Sequence, residues 1–125
     1  MFRIEMSRKF AVRQGLPSPV RRARGIPTRS TGEPFEAELR IGFVFEDDKL
    51  RHHGWFIDTD ELDNVIDGLV AELTADIWTE TFSFRPTFEL VSRWAYEQLT
   101  TSVPQLSYVE LTNLSLGVAT RYSRS

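Results

Sequence analysis

Between Phe35 and Phe45 every second residue is apolar: Phe35, Ala37, Leu39, Ile41, Phe43 and Phe45 share one face, and Glu36, Glu38 and Arg40 share the other. A period of two held over eleven residues marks a strand with one face in a core and one face wetter. Near its end Phe43, Val44 and Phe45 are consecutive, which implies cover on both faces there. A strand of this length must pair its backbone groups with neighbours and bury its apolar side. Partner strands are legible on both sides. Phe2, Ile4 and Met6 alternate with Arg3 and Glu5, and Phe10 and Val12 continue after a short polar break. After Pro104, Leu106, Tyr108 and Glu110 alternate with Val109, Leu111 and Asn113, and Val118 to Tyr122 follow a turn at Gly117.

Between these strand pairs the period changes. Leu62, Val65, Ile66, Leu69, Val70, Leu73 and Ile77 form one helical stripe, with Asp58, Thr59 and Asp60 as cap candidates and first-turn acids. Leu90, Val91, Trp94, Ala95 and Leu99 form a second stripe, with Thr87 as its cap candidate and Pro104 as its stop. Glu46–Lys49 reads as a turn, and Trp55, Phe56 and Ile57 as a short strand after Gly54. The order is strand, strand, helix, helix, strand, strand. It predicts an α+β fold, a mostly antiparallel four-stranded sheet with two helices on one face. With 125 residues, no linker and no internal repeat, residues 1–125 are expected to form a single domain.

Composition removes several classes of function. The chain has no cysteine, so it can hold no disulfide, no thiolate zinc site and no cysteine nucleophile. No apolar run approaches the roughly 20 residues that cross a bilayer, and the first residues lack a signal-peptide pattern. A cytoplasmic location without membrane contact is the expectation. Residues 1–30 hold eight basic side chains and one acid, a net +7, whereas the remainder holds seven and seventeen, a net −10. Arg21, Arg22, Arg24 and Arg29 make up the densest basic stretch, read as a solvated loop or as a phosphate clamp. No helix-turn-helix and no basic-aromatic interleaving accompany it, so nucleic acid is not an expected partner.

Three segments carry a resemblance. Gly54-Trp55-Phe56-Ile57-Asp58-Thr59-Asp60-Glu61-Leu62 is similar to a strand-to-helix segment of the family of 6-pyruvoyltetrahydropterin and 6-carboxytetrahydropterin synthases. Arg85-Pro86-Thr87-Phe88-Glu89-Leu90 resembles that family's helix start, with Trp94 where an aromatic is common. Tyr108-Val109-Glu110-Leu111-Thr112-Asn113 is similar to its last long strand. The resemblance implies the tunnelling fold, in which sheets of neighbouring subunits join into a barrel, usually as a homo-hexamer of two trimers.

Carried over residue by residue, the resemblance implies a changed site. The family's three zinc histidines fall on Gln14, Thr31 and Glu33, and glutamine and threonine are weak ligands for such a metal. The family's cysteine has no counterpart, and its Leu-Asp-His segment falls near Leu73-Thr74-Ala75, which cannot relay a proton. No catalytic residue, metal or cofactor is therefore assigned. His52 and His53 are adjacent, point to opposite sides of an extended chain and read as exposed turn residues. The family's pterin-anchoring glutamate falls on Asn113, while Glu110 lies on the opposite face of that strand. Thr87 and Glu89 are kept and lie beside the pterin in the family, although helix capping explains them equally well.

The first reading is a zinc-free homologue with a pocket for a pterin- or purine-like heterocycle, lined by Thr87, Glu89 and Asn113, without the parent lyase activity. The second is a non-catalytic scaffold with a vestigial pocket. The third is an enzyme with changed chemistry that uses Glu33, Glu89, Arg13 or the arginine stretch.

Overall fold

The long strand sits inside the sheet, where its backbone is paired on both sides. β1 (Phe2–Val12) and β3 (Tyr108–Asn113) flank β2 (Phe35–Phe45), β4 (Val118–Tyr122) pairs with the far side of β3, and every pairing is antiparallel. A computed structural model describes residues 1–16, 33–50 and 56–124 of the chain. The register places Phe2 opposite Phe45, Val12 opposite Phe35, and Ile41 opposite both Met6 and Val109. Because successive side chains alternate, this register gathers the apolar residues of all the long strands on one face. Ala37, Leu39, Ile41, Phe43, Val109 and Leu111 are fully buried there.

Among the described residues three helices cover that face: α1 (Thr59–Thr74), the single turn α2 (Trp78–Thr81) and α3 (Phe88–Ser102). α1 packs over β1, and α3 over β3 and β4. Asp58 caps α1 by accepting from the Asp60 N–H at 2.9 Å, and Thr87 caps α3 by accepting from the Leu90 N–H at 3.2 Å. α1 buries Leu62, Ile66, Leu69 and Leu73, and α3 buries Val91, Ser92, Ala95, Tyr96 and Leu99.

The sequence expectation needs correction at three places. Ile77 does not continue the first helical stripe. α1 stops at Thr74 because the buried Trp78 folds back and its indole N–H donates to the Leu73 carbonyl at 2.9 Å. That carbonyl belongs to the last turn and would otherwise lack a partner. Ile77 instead caps α2, a turn the apolar pattern did not announce. Phe56 and Ile57 form a bend rather than a strand, and Trp55 lies outside the described residues. The break between Met6 and Phe10 is no break, since β1 runs unbroken through it. Arg8 falls on the helix-covered face at the sheet edge. Its guanidinium donates to Asp67 at 2.9 Å and to Asp63 at 2.5 Å, both on α1. A polar residue at an inward position is thus matched by two acids one helical turn apart.

On the opposite face the charges pair. Arg40 lies between Glu38 at 3.0 Å and Glu5 at 3.4 Å, and Arg121 holds Glu110 at 2.8 Å. Among the described residues no helix is long and apolar enough to cross a membrane.

Candidate functional site

The assigned residues that fall among the described ones, Gln14, Glu33, Thr87, Glu89 and Asn113, lie at one end of the sheet, where β1 and β3 finish, β2 begins and α3 starts. Gln14 follows β1 by two residues and is half-buried. Its Nε2 donates to the Pro86 carbonyl at 3.0 Å, so the exit of β1 meets the start of α3 directly. Thr87, the next residue, is half-buried and spends its hydroxyl on the helix cap. Glu89 is exposed in the first turn of α3, where a carboxylate suits the helix dipole. Glu33 is exposed just before β2. Thr31, His52, His53 and the stretch Arg21–Arg29 lie outside the described residues.

Asn113 ends β3 at the same end of the sheet, opposite Ala37. Its Oδ1 accepts from the Leu116 N–H at 3.1 Å and its carbonyl accepts from the Gly117 N–H at 2.8 Å. This is a side chain closing its own turn, a common task of asparagine. Gly117, at φ 71°, supplies the left-handed residue the hairpin needs. That bond occupies one lone pair of Oδ1 and leaves the amide N–H donors out of the turn. The next residue, Leu114, donates its N–H to the Glu36 carbonyl at 2.9 Å, which ties the hairpin to the start of β2. Glu110 lies on the other face of the sheet, paired with Arg121, as the strand period requires.

Gln14 and the Pro86–Thr87 corner are thus in contact, while Asn113 stands across β2 from them. A cavity of about 270 Å³ lies at the other end of the molecule, between the start of α1 and the end of α3. Asp58, Glu61, Leu62, Val103 and Pro104 are among its lining residues, and none of the assigned site residues is.

The sequence reading missed one feature. Tyr108 is buried on the face away from the helices, with Arg121 over its ring at 4.0 Å from the centroid. Burial raises its pKa, and the negative charge of Glu5 adds to the effect. Its ring covers Gly42, where a Cβ would stand 2.0 Å from the Tyr108 Cζ. The available signal was Gly42 itself, since a glycine inside a strand marks a close approach.

At the two described positions that the resemblance assigns to metal ligands stand the Gln14 amide, with one N–H engaged, and the exposed Glu33 carboxylate. Among the described residues no group of three or more His, Cys, Asp or Glu side chains could hold a metal ion.

Comparison with known proteins agrees with this architecture. The family model for 6-pyruvoyl tetrahydropterin synthase matches residues 37–123. The solved structure of Caenorhabditis elegans 6-pyruvoyl tetrahydropterin synthase superposes with a TM-score of 0.74 at 15% identity, covering 99% of this chain and 96% of that one. No curated protein matches the sequence. The structural likeness shows the fold, and the family match spans the helices and three of the four strands. The chain belongs to the 6-pyruvoyl tetrahydropterin synthase family.

Proposed function

We propose that this chain is a zinc-independent member of the family. It binds a flat heterocycle of the pterin or purine class at the sheet end marked by Gln14, Thr87, Glu89 and Asn113, and it does not catalyse the parent lyase reaction. The observation that carries the reading is the Gln14 amide, which stands at the first metal position implied by the resemblance and is hydrogen-bonded to Pro86. An amide nitrogen does not ligate zinc, and the remaining amide oxygen is a poor substitute for a neutral imidazole. The residues present do not fit a zinc site of the family's kind. Without a Lewis acid, a cysteine or a histidine at the reacting position, the groups on hand bind and orient but do not move a carbon-bound proton.

Oligomerisation, expected as a homo-hexamer, belongs to the same reading. β1 and β4 are the sheet's two edges and run antiparallel, so β4 of one copy can extend the sheet of another at β1. A cytoplasmic protein formed from one domain completes it.

The test combines metal analysis, light scattering, and thermal shift with a panel of pterins and purines. Close to zero zinc per chain, a hexamer and a shift with at least one heterocycle are expected. A ligand at a hundredfold excess over its Kd adds about 2.7 kcal/mol. One zinc per chain, or turnover of dihydroneopterin triphosphate, would refute the reading. A second reading, a scaffold with a vestigial pocket, draws support from the Thr87 hydroxyl and the Asn113 oxygen, both spent on their own backbone. No shift with any member of the panel would favour it.

A further inference from the structure

We infer that Gln14 is a positioning residue: its side chain is a metal-free latch that fixes the exit of β1 to the start of α3. Three consecutive residues make the attachment. The Arg13 carbonyl accepts the Trp78 N–H at 2.8 Å, which joins β1 to α2. Gln14 Nε2 then reaches the Pro86 carbonyl at 3.0 Å. Gly15 takes φ 86° and packs so tightly on α2 that a Cβ would stand 2.5 Å from Thr79 Oγ1. Pro86 is buried and has no N–H of its own, so nothing on its own backbone can add a donor there. Its carbonyl immediately precedes Thr87, whose hydroxyl and carbonyl accept from the Leu90 and Val91 N–H groups at 3.2 Å and 2.9 Å. Anchoring Pro86 therefore sets where the first turn of α3, and Glu89 with it, stands relative to β1.

A metal ion would hold such a corner by gathering ligands from separate segments. Here one neutral amide joins two segments that are 72 positions apart in the chain. The latch shares the Gln14–Pro86 bond with the binding reading, but it needs no ligand and no turnover, and exchange read without ligand tests it apart from heterocycle binding.

The test is hydrogen exchange on the full chain, comparing Gln14→Met and Gln14→Glu with the parent protein. Methionine keeps the length and bulk and removes the donor. Protection of the Leu90 and Val91 amides should fall about five-fold, the ratio an ordinary net hydrogen bond corresponds to. Protection at Ile66 and Leu69 in α1 should be unchanged. Glutamate should behave like methionine at pH 7, when the carboxylate cannot donate. Near pH 4 the protonated acid can donate, and its protection should recover toward that of the parent. Arg13, Asp76, Arg85 and Glu89 are the charged groups around this corner and are present in every variant, so each variant is read against methionine at the same pH. Unchanged protection in Gln14→Met, or a glutamate variant that matches methionine at both pH values, would overturn the latch. If the variants do not fold, the parent alone decides. Its Gln14 side-chain amide protons should exchange more slowly than those of a free glutamine, and equal rates would overturn the inference.

Discussion

Replacing Gly42 by alanine adds one methyl group, and the structure leaves it no space. The added Cβ would stand 2.0, 2.3 and 2.4 Å from Cζ, Cε2 and Cε1 of Tyr108. Both neighbours of Gly42 are fixed by register, Glu5 on β1 and Tyr108 on β3, so the backbone cannot retreat without breaking two ladders. The ring must leave instead. A buried tyrosine covers at least about 150 Å², and at about 25 cal/mol per Å² its full exposure costs roughly 4 kcal/mol. The unfolded chain already covers part of that surface, which lowers the figure to about 2.5 kcal/mol. Losing the Arg121 stacking, 4.0 Å from the ring centroid, adds about 0.5–1 kcal/mol. The stiffer alanine backbone returns about 0.5 kcal/mol.

The expected net cost of Gly42→Ala is therefore about 2–3 kcal/mol. Urea unfolding followed by tryptophan fluorescence, at one fixed protomer concentration, measures it. A double-mutant cycle with Tyr108→Ala isolates the cause. Once the ring is gone the methyl has space, so the double variant should match Tyr108→Ala within about 0.5 kcal/mol. A Gly42→Ala variant within about 0.5 kcal/mol of the parent, or simple additivity of the two changes, would refute the reasoning.

Asn113→Ala should lower Tm by about 4 °C, the equivalent of one turn hydrogen bond. Asn113→Asp should stay within about 1 °C, because it keeps the acceptor for the Leu116 N–H. Asn113→Asp nevertheless gives up the amide donors, so a loss of heterocycle affinity without a loss of Tm would separate ligand contact from turn closure. Tyr108 predicts an alkaline limb in stability. Its folded pKa is raised by burial, so above about pH 10 the unfolded chain releases the phenolic proton first and stability falls as pH rises. The limb should be shallower in Tyr108→Phe, together with loss of a late component in the 295 nm absorbance titration. Arg8→Met keeps the aliphatic stem but strands Asp63 and Asp67 without their cation. Because these groups are part-exposed, the cost should stay below about 1 kcal/mol and shrink in 0.5 M salt.

Sheet and long helices were legible because each is announced by a repeating pattern. The alternation from Phe35 to Phe45 announced which face of β2 is buried, whereas the pairing of its residues with β1 and β3 came from the structure. The caps Asp58 and Thr87 were legible for a local reason, since a capping side chain bonds within its own first turn. What periodicity could not reveal was decided by contacts between distant segments. Ile77 fits the stripe of α1 by spacing, yet the indole of Trp78 closes the helix before it. Ser7-Arg8-Lys9 looks like an interruption because the acids that neutralise Arg8 lie some 55 positions onward. Gly42 was visible but mute, because nothing local says which ring will cover it.

The same distinction governs the site. A single sequence reveals which residue types occupy the family's positions, but not which of their atoms are already in use. Gln14, Thr87 and Asn113 can each both donate and accept, and the fold engages one side of each: an N–H of Gln14, a lone pair of the Thr87 hydroxyl and a lone pair of the Asn113 oxygen. What remains for a ligand under the binding reading is the Gln14 oxygen, the Thr87 O–H, the Asn113 amide donors and the Glu89 carboxylate. That set is not the one a glutamate at position 113 would present, which accepts two N–H groups and donates none. A ring edge that offers an acceptor to Asn113 and a donor to Glu89 or Gln14 matches it better than an edge with donors alone. Purine and oxidised pterin rings both carry such mixed edges. The ligand panel should therefore be ordered by edge pattern, with mixed donor-acceptor heterocycles expected to bind ahead of compounds that present two adjacent donors.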